Sequence, residues 1–286
     1  MNSIIRDTQK SLVEIVRGKK NKLVRDYLEF RIHASPEPQK ILFRPTPCKF
    51  LFILSHMRSG SSLLTHILSS NPEIIGLGET HTVYRSDLDL KQLTRKLYTE
   101  LCEVRRLSDL ANLRMNHQYI LDKILHNSKL LDYSFLASEY SYNIFLLREP
   151  QRSLSSILDL KPHWDEATAV EYYGDRLRQL ERYSQFINNP ERTLVVTYEQ
   201  LLNQTELTLS KLRQFLSLSQ PLSEDYHLLK TTGKPGFGDH KGNIKAGRIV
   251  RDARKLNSNL SEPAIDAGQA AFDHCMEVLA QYCTVV

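Results

Sequence analysis

The sequence of 286 residues is poor in anything that would staple or anchor it. Its four cysteines, Cys48, Cys102, Cys275 and Cys283, are scattered. They have neither zinc-ligand spacing nor the density of a disulfide framework, which excludes a small cross-linked module and points to a reducing compartment. No apolar run approaches the roughly 18 residues of a membrane-spanning helix. The opening MNSIIRDTQKSLVEIVRGKK lacks the apolar stretch of a signal peptide, so the expectation is a cytoplasmic protein. Charge is nearly balanced: 38 Lys and Arg against 33 Asp and Glu leave +5. That excess suits a small anionic ligand and is too weak to argue for nucleic acid. Neither G-x-G-x-x-G after a strand nor G-x-x-x-x-G-K-[ST] occurs, so the dinucleotide and nucleotide-hydrolase fingerprints are missing. No carboxylate or His/Cys cluster suggests a metal.

Hydrophobic residues make up 41% and charged residues 25%, as in an ordinary globular protein. Continuous apolar runs at 49–55 (KFLFILS), 73–77, 118–121, 142–147 and 193–197 alternate with helical patterns at 61–70, 86–113, 150–159, 165–187 and 203–216. Strands of this kind, separated by helices, predict an α/β fold. The expected form is a three-layer sandwich, with a central, mostly parallel sheet of about five strands flanked by helices and a phosphate loop at its carboxyl edge. Residues 1–34 read as an N-terminal helical extension, packed on the domain or on a partner subunit, so a homodimer is open. Residues 35–48, with Pro36, Pro38, Pro45 and Pro47, read as a connecting segment, and 49–286 as the main domain. KTTGKPGFGDHKGNIKAGR at 230–248 reads as a glycine-rich basic loop in which Lys234, Lys241, Lys245 and Arg248 receive no individual role.

The first strand runs into Arg58-Ser59-Gly60-Ser61-Ser62 and then a helix. A helix N-terminus offers unpaired N–H groups and the positive end of its dipole. Gly60 permits close approach of backbone to an anion, Ser61 and Ser62 add hydroxyls, and Arg58 adds a fixed fork of donors. In an open parallel sheet ligands sit beyond the carboxyl ends of the strands. Gly78-Glu79-Thr80, Asp122-Lys123, Arg148-Glu149-Pro150 and Tyr198-Glu199 are therefore expected at the same edge.

With these residues in place, the sequence resembles the sulfotransferases that use 3′-phosphoadenosine 5′-phosphosulfate (PAPS). RSGSSLL is similar to their 5′-phosphosulfate loop, and LLREPQRSLSSIL to their 3′-phosphate motif, through Arg148 and Ser156. TLVVTYEQLLNQTELTLSKLRQFLSL is similar to the segment whose tyrosine, here Tyr198, would contact the adenine. The tyrosine-sulfating and carbohydrate branch fits best: GLGETHTV puts Glu79 at the position of the catalytic base, and YILDKILHN puts Lys123 at that of a catalytic lysine. The resemblance implies PAPS as co-substrate, the product 3′-phosphoadenosine 5′-phosphate (PAP), and no metal. Arg58, Ser59, Gly60, Ser61, Ser62, Arg148, Ser156 and Tyr198 would bind the donor, and Glu79, Arg58 and Lys123 would act in catalysis.

The implied acceptor is a hydroxyl or amine of a small molecule or natural product. A peptide tyrosine or a sugar is the alternative, and a nucleotide kinase or a non-catalytic nucleotide binder are readings of another class. Leu63 stands where small-molecule sulfotransferases keep a tryptophan, so adenine stacking falls to Tyr198 or Phe237. His117 precedes the third strand, and His56 and His81 rank below Glu79 as a base. Tyr172, Tyr173 and Tyr183 read as core, Trp164 as acceptor wall or packing, and the acceptor pocket as built from 81–117 and 160–175.

Overall fold

The computed structural model describes residues 2–101, 108–111, 113–234, 242–251 and 260–286. The expected runs become strands β1 (Lys49–Ser55), β2 (Ile74–Gly76), β3 (Tyr119–Ile124), β4 (Ser141–Leu147) and β5 (Thr193–Thr197), and a short β6 (Thr284–Val285) joins them. They form one sheet in the order β2-β3-β1-β4-β5-β6, with every neighbouring pair parallel. Where about five strands are expected, the described residues form six. Thr284 and Val285 form no apolar run of their own, and pair beside Leu194 and Val195 only because the preceding helix returns the chain there.

The helices are α1 (Asn2–His33), α2 (Ser61–Ser69), α3 (Leu88–Leu101), α4 (Ser108–Ala111), α5 (Pro150–Leu160), α6 (Glu166–Ile187), α7 (Tyr198–Asn203), α8 (Thr205–Phe215) and α9 (Glu262–Tyr282). Side chains alternate across a strand, so β1 serves two cores. Phe50, Phe52 and Leu54 face one layer, where they pack with Leu93 and Leu97 of α3, Leu154 of α5, Leu177 of α6 and Leu279 of α9. Leu51 and Ile53 face the other, with Leu64 of α2, Leu201 of α7 and Leu212 of α8. The last turns of α1 join the first layer through Leu28 and Ile32. There buried Arg31 donates to Leu42 O at 3.0 Å and Leu113 O at 2.7 Å.

Two details differ from the pattern read in the sequence. The run 203–216 divides at Gln204, because Thr197 and Gln200 form a reciprocal capping box that starts α7 early. Periodicity also does not single out α9, whose buried positions include Ala264, Gly268 and Cys275, residues too small for a strong apolar signal. The topology fixes where a ligand can sit. From β1 the chain travels toward β2, and from β4 toward β5, so the carboxyl ends of β1 and β4 flank the switch point of the sheet.

Candidate functional site

At that edge lies a cavity of about 700 Å³, within the size range of ligand sites. The loop after β1 turns into it sharply: Arg58 has φ 65° and Gly60, which caps α2, has φ 90°. Gly60 is needed twice over. Its backbone lies in the left-handed region, and a Cβ there would come within 2.2 Å of the Tyr198 ring. Ser61 and Ser62 open α2 toward the cavity, where first-turn N–H groups have no intrahelical partner.

Three stretches far apart in sequence touch here. Arg58 Nε donates to Ser156 Oγ at 2.8 Å, Arg148 Nη1 donates to Arg58 O at 3.1 Å, and the Arg148 guanidinium stacks 4.5 Å from the centre of the Tyr198 ring. Arg58, Gly60, Ser61, Ser62, Arg148, Ser156 and Tyr198 all line the cavity. Ser59 does not: its hydroxyl is buried under the loop without a hydrogen-bond partner. Arg148 Nε is likewise buried and unpartnered. A buried charged donor with an unmade bond is costly, so this arginine calls for an anionic oxygen. An anion cradle with a spare guanidinium donor fits the phosphates of a nucleotide.

Asp122 and Lys123 do not follow β3, as the sequence suggested; they lie inside it and point to opposite faces. Lys123 projects toward α2, where its Nζ donates to Ser62 Oγ at 3.0 Å. Burial pushes its ammonium below the usual lysine range, while Glu79 and then Asp122 pull it back. Asp122 points the other way and is no part of the cavity. Its carboxylate accepts from Thr80 N (3.1 Å), Thr80 Oγ1 (2.7 Å), Tyr84 OH (2.7 Å) and Lys123 N (2.9 Å). It thereby fixes the chain that follows Glu79. Glu79 is 8% exposed, lines the cavity with Gly60 and Lys123, and lies 3.5 Å from His81 Nδ1.

Two buried residues clamp this edge. Arg176 of α6 donates to Ser55 O (2.8 Å), Ile124 O (2.7 Å) and Asn127 Oδ1 (2.7 Å), tying the ends of β1 and β3 together. His56 donates from Nδ1 to Met57 O at 2.8 Å, and its Nε2 accepts from Arg148 N at 3.2 Å, joining β1 to β4. Burial pushes its pKa down to about 3, so the ring is neutral and positions Arg148 rather than acting as a base. His117 bonds to Tyr98 OH at 3.1 Å and does not line the cavity.

The far wall is formed by Leu125, His126, Lys129, Lys161, Trp164 and Tyr172. Tyr173 and Tyr183 are buried core as expected, but Tyr172 is a correction: it accepts from Met57 N at 3.1 Å, donates to Leu125 O at 3.3 Å and faces the cavity. Its helix turns that face past the sheet edge, which periodicity alone does not reveal. The Trp164 ring packs against it at a tilt of 53°, with ring centres 5.6 Å apart. Of the expected acceptor stretches, 160–175 supplies four lining residues, whereas the described residues of 81–117 supply only His81. The 125–129 segment takes its place, a stretch whose only sequence signal is cations just past a strand. Tyr226, Ile244, Val250 and Arg251 line the end near Tyr198 and were not legible as individuals. Phe237 and Lys241 lie outside the described residues. No described helix is long and apolar enough to cross a membrane.

No match is found among curated proteins. Solved structures with a similar chain include the sulfotransferase domain from the Synechococcus PCC 7002 olefin synthase, at 18% identity and TM-score 0.45, covering 80% of this chain and 96% of that one. Mouse sulfotransferase SULT7A1 complexed with PAP matches at 14% identity and TM-score 0.44, covering 80% and 84%. Retinol dehydratase in complex with androsterone and PAP matches at 15% and 0.43, covering 88% and 86%. The sulfotransferase family model matches residues 51–221, which include most of β1, the anion loop, Glu79, Lys123, the Arg148 turn and Tyr198. The chain belongs to the sulfotransferase family and is a transferase of that kind.

Proposed function

We propose that the protein transfers the sulfuryl group of PAPS to a hydroxyl or amine of a small-molecule acceptor, with Glu79 as the base. The observation that carries this reading is the convergence of the Arg58–Ser62 loop, Glu79, Lys123, Arg148 and Ser156 on one cavity, with a buried guanidinium donor left unpartnered. Arg148 and Ser156 hold the 3′-phosphate. The α2 N-terminus with Ser61 and Ser62 holds the 5′-phosphosulfate. Tyr198, Tyr226, Ile244 and Val250 wall the adenine end. PAPS supplies an activated sulfuryl group.

Glu79 takes the acceptor's proton as the acceptor atom bonds to sulfur. The bond from sulfur to the bridging oxygen breaks, and its electron pair stays on the phosphate of PAP. Arg58 and Lys123 neutralise the charge that grows on that oxygen and on the sulfuryl group, from positions set before the reaction begins. Ser62 and Ser156 hold those two cations in place.

The test is transfer of labelled sulfate from PAPS to a panel of phenols, alcohols and amines, with and without Glu79→Gln. Transfer by the wild type that collapses in the variant supports the reading. Transfer undiminished in the variant rejects Glu79 as base, and absence of transfer to every class in the panel rejects the small-molecule reading.

A further inference from the structure

The cavity is lopsided in charge. Its described lining residues include seven Lys or Arg side chains and one carboxylate, Glu79. Five of the cations are accounted for at the donor end. Arg58, Lys123 and Arg148 meet phosphate and sulfuryl oxygens in the proposed reaction. Arg152 pairs with Glu149 at 3.7 Å, and Arg251 is held by Leu202 O at 3.0 Å and by Glu224.

Lys129 and Lys161 are left. Lys129 ends the 3₁₀ turn Asn127–Lys129 after β3, and Lys161 follows the last residue of α5. They therefore approach the acceptor end from two elements. Among the described residues, Lys129 Nζ reaches His81 O at 3.5 Å, and Lys161 Nζ lies 5.8 Å from the centre of the Trp164 ring. Neither is paired with a carboxylate among the described residues. Both are half-buried, and both act on one neighbour. Burial pushes the His126 imidazole down, Glu79 opposes this, and Arg176, Lys129 and Lys161 reinforce it. The same cavity has an apolar surface of Leu125, Leu160, Trp164 and Tyr172.

A neutral acceptor would leave two ammonium groups beside this apolar surface, with Glu79 as the one carboxylate among the described lining residues. An acceptor with its own negative charge would satisfy both lysines, hold its body against Trp164 and Tyr172, and present its hydroxyl to Glu79. Resting on the sulfotransfer reading, we propose that the acceptor is a small molecule combining an aromatic or apolar body with an anionic group, and that Lys129 and Lys161 select it through that group.

The test uses matched pairs that differ in charge alone: 3-(4-hydroxyphenyl)propanoate against its primary amide, and a glutamate-flanked tyrosine peptide against its glutamine counterpart. kcat/KM for sulfate transfer and PAP-induced thermal shift are read on the same protein. The expected result is a preference of about tenfold or more for the propanoate over its amide. In Lys129→Gln/Lys161→Gln the preference falls to about twofold or less. Because both lysines reach only weak partners, the variant is expected to melt with the wild type. Equal use of acid and amide, or a preference that survives the double variant, overturns the proposal. So does a charge preference confined to the peptide pair, which would make the acceptor a polypeptide. A protein that PAP stabilises yet that ignores acceptor charge refutes the selection alone, whereas one that PAP leaves unchanged refutes the sulfotransfer reading beneath it.

Discussion

The two ends of the cavity are built differently. At the donor end, the groups proposed to meet the nucleotide are cross-linked by hydrogen bonds and held in left-handed backbone at Arg58 and Gly60. At the acceptor end the wall is half-open, and its cations reach only weak partners. A site that handles the same nucleotide every time gains from rigid preorganisation. One that sorts acceptors needs only shape and charge. In the proposed reaction Glu79 and Lys123 serve the group that passes from one end to the other.

That contrast can be broken in several places. The largest expected effect is at the junction: Glu79→Gln should lower kcat by about 10²- to 10⁴-fold while PAP affinity by calorimetry stays within about twofold. Retained turnover would place the base elsewhere. Next comes Arg148→Ala, which removes the unpartnered donor and the stack on Tyr198. PAP binding should weaken about ten- to hundredfold, with less effect on acceptor KM.

Gly60→Ala tests the rigidity of the donor end through stability. A methyl group driven toward the Tyr198 ring, on backbone that favours glycine, should cost about 1–3 kcal/mol in denaturant unfolding. A neutral result would mean that the loop is looser than its contacts indicate.

His56 gives a pH test with a definite sign. Its folded pKa, about 3, lies below the ordinary 6.5. As pH falls below 6.5 the unfolded chain takes up a proton that the folded chain refuses. The stability this residue contributes is present above 6.5 and is lost toward 3, at up to about 1.4 kcal/mol per pH unit. His56→Gln should flatten the fall of Tm between pH 6.5 and 4.5; an unchanged slope would show that another group governs it. The smallest effect belongs to the acceptor end. Trp164→Ala should raise acceptor KM about threefold to tenfold and leave PAP affinity alone.

The same division governs what was legible in the sequence. Donor residues follow apolar strands directly, so strand pattern and loop chemistry announce Arg58–Ser62, Arg148 and Tyr198 together. β3 misled because Asp122 and Lys123 look like a strand end. A buried strand can carry an aspartate when that carboxylate is saturated by Thr80, Tyr84 and the Lys123 N–H, and Thr80 and Tyr84 are remote in sequence. The acceptor wall draws on 125–129, 160–164 and a single face of α6, each too short to show a pattern. α9 and β6 were hidden by small residues and by brevity.

The central claim is that the crevice between β1 and β4 is built for a 3′-phosphorylated adenine nucleotide. Titration calorimetry of PAP in the presence of saturating ATP and magnesium tests it most directly. The account predicts that PAP binds with nearly unaltered affinity in the wild type and far more weakly in Arg148→Ala. Loss of the PAP signal to ATP, or full affinity in the arginine variant, would contradict it.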